Sequence, residues 1–207
     1  MRIHDKLDEI LKHGSKIKIL RFLFAEKDEH TGRSIAKGIS MSPSSTHRTL
    51  LIMADEGLIS SRKKGKAILY MLRQDHYVVR KLLGPLFEKE KLIYSDIISL
   101  IKRHLLRANG DIATVAVFGS VVRKEETSGS DIDLLVILRD KSGKSRVDKV
   151  LDNLHADIVK SFGASLSPYV LTVSEIRHRH NEKKRIIKSI LDNNELIYGE
   201  PVERILA

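Results

Sequence analysis

Residues 118–136, FGSVVRKEETSGSDIDLLV, constrain the chain more than any other stretch. A Gly-Ser pair closes one apolar run. Asp131 and Asp133 then enter a second one that continues to Leu138. Successive side chains on a strand alternate, so residues i and i+2 share a face. The two carboxylates therefore converge, and like charges a few ångströms apart repel unless a hard cation lies between them. Magnesium suits such a pair because it takes few carboxylates and completes its shell with water and substrate phosphates. Two plainer readings stay open: a pair of acids starting a strand beside a solvated loop, or one acid capping a turn. A calcium loop is excluded, since Leu134 and Leu135 stand where it needs further ligands and glycine.

Upstream, Ile112–Phe118 is rich in Val, Ile and Ala and reads as a strand. Gly119-Ser120 follows at once, and a short helix is expected over Val121–Glu126. A strand, a Gly-Ser turn and a helix start expose backbone N–H groups, a cradle for phosphate.

Together these features resemble the nucleotidyltransferase superfamily of DNA polymerase beta, specifically its minimal nucleotidyltransferases, over about residues 108–200. The resemblance implies that Gly119, Ser120 and Ser130 hold a nucleoside triphosphate, taken as ATP. It also implies that Asp131 and Asp133 are the catalytic acids and bind Mg2+, which orients the triphosphate and stabilises the leaving pyrophosphate. The downstream order fits: a helix near Ser145–Ser161, a strand near Ala164–Thr172, a helix near Ser174–Leu191, then Leu196–Gly199. The family carries a third carboxylate on the next strand, which completes a second metal site and helps deprotonate the attacking hydroxyl. Aligning Thr172 and Glu175 with the family's ending puts Ser167 in that place. A neutral hydroxyl binds magnesium poorly and is no general base at neutral pH. Asp157 and Glu175 are the acids nearest in sequence that could stand in.

Charge divides the chain. The net charge is +10. Residues 1–107 carry 22 Lys and Arg against 12 Asp and Glu, and residues 108–207 carry 15 of each. That asymmetry points to one part built for a polyanion and another with a different task.

Within the basic part, Ser15 is expected to cap a helix carrying Ile17, Ile19, Leu20, Leu23 and Phe24 on one face. Thr31 is expected to cap a second helix, Gly32–Lys37, ended by Gly38. Ser42-Pro43 is a strong start signal for a third, reaching Asp55. Thr46, Leu50 and Met53 share its core face, and Ser44, Ser45, His47, Arg48 and Leu51 lie off it. Gly57 stops it. Leu58–Ser60 and Ala67–Tyr70 read as two strands joined by Ser61-Arg62-Lys63-Lys64-Gly65-Lys66.

Residues 10–75 thus resemble the winged helix-turn-helix of bacterial and archaeal regulators. The resemblance implies that the third helix enters the major groove through Ser44, Ser45, His47 and Arg48. It makes Arg62, Lys63, Lys64 and Lys66 a wing on phosphates or the minor groove. Four cations on a short hairpin repel one another unless something anionic neutralises them. A protein-docking role for the same module, and a merely solvated basic turn, are the competing readings.

Gln74–Asn109 has a helical pattern that Gly84-Pro85 is expected to divide. Leu86, Ile93, Ile97, Leu100, Ile101 and Leu105 form a stripe that must be covered, by the second domain or by a symmetry mate. RHRHNEKKR around His178 and His180, with Lys183, Lys184, Arg185 and Lys188, reads as a solvated basic face. Tyr198 reads as a packing residue.

The chain has no cysteine, which excludes disulfides and thiolate zinc sites and fits a reducing cytoplasm. The N-terminus lacks the apolar run of a signal peptide. Leu134–Leu138 is too short to span a bilayer, so no membrane partner is expected.

The expected fold is α+β in two domains: a winged helix-turn-helix over 1–75, a helical connector and dimerisation element over 76–108, and a nucleotidyltransferase fold over 109–207. The last is expected to have a small mixed sheet flanked by helices. The expected function is a cytoplasmic, homodimeric, DNA-binding transcriptional regulator whose second domain binds a nucleoside triphosphate with Mg2+ and has weakened catalysis. The alternative is an active, antitoxin-like nucleotidyltransferase passing a nucleoside monophosphate to a protein or small-molecule acceptor. A third reading makes both domains interaction modules without nucleotide.

Overall fold

The computed structural model describes residues 4, 7–108, 110–127 and 129–207. Asn109, the expected start of the second domain, lies outside them. The chain divides into two units, Met1–Leu92 and Ile93–Ala207, each with its own core.

The first unit runs α1 (Asp8–Leu11), α2 (Gly14–Glu26), β1 (His30–Thr31), α3 (Gly32–Gly38), α4 (Pro43–Asp55), β2 (Ile59–Lys64) and β3 (Ala67–Leu72). The capping signals explain two of its helix starts. The Thr31 hydroxyl accepts from Ser34 N at 3.2 Å, and the Ser42 hydroxyl accepts from Ser45 N at 3.3 Å with Pro43 at the first helical position. Ser15 is no cap. α2 begins two residues earlier than that cap implies, at Gly14, with His13 at the cap position and no side-chain bond there. Thr46, Leu50 and Met53 are fully buried, as the periodicity of α4 requires. The hairpin is longer than expected: β2 and β3 pair from Ile59↔Leu72 to Lys64↔Ala67, so only Gly65 and Lys66 form the turn. Arg62, Lys63 and Lys64 are therefore strand residues. The short β1 adds a third strand through His30↔Tyr70, which the sequence pattern had not indicated.

Gly84-Pro85 does not divide the next helix. Residues 77–105 stay helical, because the turn ahead of the proline widens into a π segment, Val79–Leu83. Gly84 N donates to Val79 O five residues back, and Pro85 then opens α5 (Gly84–Leu105), where its missing N–H costs little. The apolar stripe on α5 is covered over Ile97, Leu100, Ile101 and Leu105, whereas Leu86 and Ile93 stay about half exposed.

The second unit holds the sheet β6-β5-β4-β7, built from β4 (Ile112–Phe118), β5 (Ile132–Leu138), β6 (Leu166–Thr172) and β7 (Asn194–Gly199). β4 pairs antiparallel with β5 and β7, and β5 pairs parallel with β6, so the sheet is mixed. β4 and β5 are central and buried nearly throughout, which explains their unbroken apolar runs. On one face Val115, Val117, Leu134, Val136 and Leu138 pack with α5 and α7 (Lys144–Phe162). On the other, Phe118, Leu135, Ile137 and Leu171 pack with α8 (Val173–Asn181), α9 (Arg185–Asp192) and α10 (Val202–Leu206). The single helix expected over Ser174–Leu191 is broken into α8 and α9 at Lys183, whose φ of +54° lies in the left-handed region. β6 is an edge strand carrying Pro168, a residue that edges tolerate.

Candidate functional site

The site forms where β4 ends and β5 begins. Phe118 pairs with Asp133 across the antiparallel ladder, so the Gly119 turn stands over the second carboxylate. Gly119 has φ +80° and ψ −150°, and a Cβ there would lie 2.1 Å from Asp133 Oδ2. Only glycine supplies both that backbone conformation and the space for the carboxylate. Asp131 precedes the strand and is exposed, whereas Asp133 is half-buried on the face that also carries Leu135 and Ile137. Burial pushes the Asp133 carboxyl above the usual carboxylate range. The neighbouring charge of Asp131 pushes it further, and the Arg123 guanidinium opposes both. The charge of Asp131 thus disfavours the ionised form of Asp133, and a hard cation held by the pair would offset that repulsion.

Ser120 opens α6 (Ser120–Arg123), a single turn rather than the helix to Glu126 that was expected. Its carbonyl accepts from Glu125 N at 2.9 Å, closing the loop. Arg123 ends that turn, with Nε 2.8 Å from Glu125 Oε2. It is the cation felt at Asp133, and sequence reasoning passed over it because nothing local links it to a strand residue ten positions on. Ser130 holds the loop: its hydroxyl accepts from Thr127 N at 2.9 Å and lies 3.2 Å from Thr127 Oγ1.

Ser167 is the register partner of Asp133 on the parallel strand β6. Cross-strand partners share a face, so this exposed hydroxyl occupies the place next to the acid pair. Neither expected substitute reaches it. Asp157 on α7 is bonded to His104 Nε2 at 2.9 Å, on the opposite side of the sheet. Glu175 closes a capping box with Thr172 at the far end of β6, and the hydrogen bonds it accepts from the Thr172 N–H and hydroxyl hold its carboxyl below the usual range. Among the described residues no group of three or more His, Cys, Asp or Glu is arranged to hold a metal. The donor set is two hard carboxylates, which fits a magnesium ion whose remaining ligands come from a triphosphate and water, and does not fit a cage made of protein alone.

In the first unit Ser44, Ser45, His47 and Arg48 are all exposed on α4. A cleft of about 580 Å³ between α4, the start of α3 and the hairpin is lined by His47, Lys66, Ile68 and Arg33. Arg33 was not among the residues that the sequence singled out, since its place beside His47 and Lys66 comes from the tertiary fold. Arg62 is not free: its guanidinium makes two hydrogen bonds to the Glu29 carboxylate, just before β1. That contact raises the Arg62 pKa and lowers that of Glu29. Lys63 and Lys64 lie exposed on β2, and Lys66 stands in the turn. No described helix is long and apolar enough to cross a membrane.

Residues 101–202 match the family described as polymerase beta, nucleotidyltransferase. No curated protein matches the chain. Among solved structures, the AntR antimony-specific transcriptional repressor is 21% identical, covers 41% of this chain and 75% of its own, and has a TM-score of 0.35. NolR from Sinorhizobium fredii is 26% identical over 39% of this chain and 76% of its own, at a TM-score of 0.34. A toxin-antitoxin structure with AMP-PNP is 13% identical over 53% of this chain and 80% of its own, at 0.36. The Gly-Ser turn set against the paired acids on a mixed sheet lies within residues 101–202, so the match to the polymerase beta nucleotidyltransferase family takes in the candidate site and just under half of the chain, and a unit of helices with a three-stranded sheet precedes it.

Proposed function

We propose that the protein is a DNA-binding transcriptional regulator whose second unit binds a nucleoside triphosphate together with Mg2+ and has lost most of the family's transfer activity. The observation that carries this reading is the pairing of Asp133 with Ser167. The acids and the Gly-Ser turn are present, and the third acid's place holds a hydroxyl. When bound, magnesium supplies positive charge to the triphosphate and to the two carboxylates. This chain's own residues do the rest. Gly119 lets the turn approach Asp133, Ser120 and its neighbours present backbone N–H groups to phosphate, and Arg123 adds a positive charge beside the acids. Ser130 ties down the loop ahead of Asp131 through its bond from Thr127. Among the described residues no third carboxylate stands beside the acids as a second metal ligand or as a base for the attacking hydroxyl, which lowers turnover by orders of magnitude.

On the DNA side, Ser44, Ser45, His47 and Arg48 face the major groove and Lys63, Lys64 and Lys66 meet phosphates. A homodimer places two such helices on two half-sites. Nucleotide and DNA affinities are then linked reciprocally, so a triphosphate that favours the DNA-competent state is itself held more tightly on operator DNA.

Calorimetry of the full chain with ATP and Mg2+ tests the reading. Heat of binding that disappears in Asp131→Ala is expected, with no release of pyrophosphate. The absence of binding in the unsubstituted chain sinks it. Efficient transfer of α-labelled nucleotide to a protein or small molecule favours the alternative, an active transferase.

A further inference from the structure

The second unit is electrically neutral only in sum. Between 177 and 188 stand six Lys and Arg against a single acid, Glu182, which leaves nine against fourteen across the rest of 108–207. The fold gathers these cations on α8, the left-handed turn at Lys183, and α9. Two of them are spent inside the unit: Arg177 Nε donates to Ile205 O at 2.8 Å, and Arg179 lies over the Tyr169 ring with its guanidinium bonded to the phenol. Glu182 is shared between Lys184 at 3.3 Å and His178 at 3.4 Å. Among the described residues Lys183, Arg185 and Lys188 make no ion pair, and all three are exposed.

Lys183, Lys184 and Lys188 rim a groove of about 280 Å³ whose floor is Ile187 and Leu191, with Asp192 at one end. A solvated helix face normally interleaves acids at i+4, which neutralises such a row. Here the row is held together instead. Lys183 N donates to His180 O at 2.9 Å and Lys184 N to Arg179 O at 3.2 Å, so the turn fixes where the lysines leave the backbone. α8 and α9 cover the same sheet face that carries Asp133 and Ser167.

We infer that the α8–α9 surface is a second nucleic-acid contact, separate from the winged helix, and that it takes the phosphodiester backbone of a strand without reading its bases. A rigid row of cations of one sign is what a polyphosphate chain neutralises, with release of its counterions. The ligand chemistry is common to duplex DNA and single-stranded RNA. The assignment does not rest on nucleotide binding at Asp131 and Asp133.

The test is fluorescence anisotropy of the full chain on a random-sequence duplex and on a single-stranded RNA, over a series of salt concentrations. The wing variant Lys63→Ala/Lys64→Ala/Lys66→Ala serves as background, so that the remaining slope belongs to other contacts. Adding Lys183→Ala/Arg185→Ala/Lys188→Ala, the three cations without an ion pair, is expected to lower the log–log salt slope by about 2 to 3 on at least one probe, at about 0.7 to 0.9 per phosphate contact. Loss on the duplex alone assigns DNA, and loss on RNA alone assigns RNA. Lys149→Ala/Lys160→Ala, on exposed positions of α7 behind the sheet, is expected to leave the slope unchanged. Circular dichroism checks that each variant folds. An unchanged slope on both probes in the folded triple variant overturns the proposal. Tighter binding to anionic lipid vesicles than to either nucleic acid, lost in the same variant, overturns it as well.

Discussion

Asp133 and Ser167 face each other as register partners across the parallel strands β5 and β6. A carboxylate at 167 would therefore meet the acid pair from the neighbouring strand. Ser167→Asp is expected to raise Mg2+-dependent transfer from α-labelled nucleotide by about 100-fold or more, in line with what a positioned base contributes. Ser167→Asn, similar in size but neutral, is the control and stays at the level of the unsubstituted chain.

The raised pKa of Asp133 has a thermodynamic sign. A carboxyl whose folded pKa exceeds its unfolded value binds protons more tightly in the native state, so stability falls as pH rises through the window just above 3.8. Most of the penalty persists at neutral pH in the ligand-free protein. Asp133→Asn is therefore expected to raise the Tm at pH 7 and to narrow its difference from the unsubstituted chain near pH 3. The same variant no longer gains thermal stability from added Mg2+ and ATP. Thermal scans between pH 3 and 8 check both.

The Glu29–Arg62 contact changes the expected contribution of the wing. Lys63→Ala, Lys64→Ala and Lys66→Ala should each reduce the salt slope of DNA binding by about 0.9. Arg62→Ala should reduce it by clearly less, since Arg62 is already neutralised by Glu29. Glu29→Gln releases that guanidinium and is expected to strengthen DNA binding at low salt. A fall in affinity would place Arg62 in a purely structural role.

Among the described residues of the first unit Lys16 is the most buried charge, 3% exposed, and its ammonium donates to Glu56 Oε1 at 2.6 Å and to Glu9 O at 3.1 Å. The pair ties α2 to the end of α4. Lys16→Ala leaves Glu56 uncompensated and is expected to cost about 3 kcal/mol in urea unfolding. Lys16→Met/Glu56→Leu removes both charges and is expected to recover most of that loss.

What the sequence made legible was local. Ser42-Pro43 announced α4, the run of Ile, Val and Ala over Ile112–Phe118 announced β4, and matching Thr172 and Glu175 to the family's ending singled out Ser167, which the sheet pairs with Asp133. What it hid depends on residues distant in the chain or on backbone that accommodates a rule. The π segment Val79–Leu83 absorbs a proline that reads as a break, and Lys183 breaks a helix with a conformation its side chain does not advertise. The partners of Arg62, Asp157 and Asp133 lie 33, 53 and 34 residues away, beyond any pattern of local spacing.

Pro168, one residue past Ser167 on the outer strand of the sheet, has no N–H to offer a visiting chain. Such a proline acts as a guard against polymerisation, since an open strand border invites end-on growth between copies. The interior strands of this sheet are almost wholly aliphatic and would be hazardous if templated. Colloidal safety and an unobstructed flank beside Asp133 thus come from the same five-membered ring.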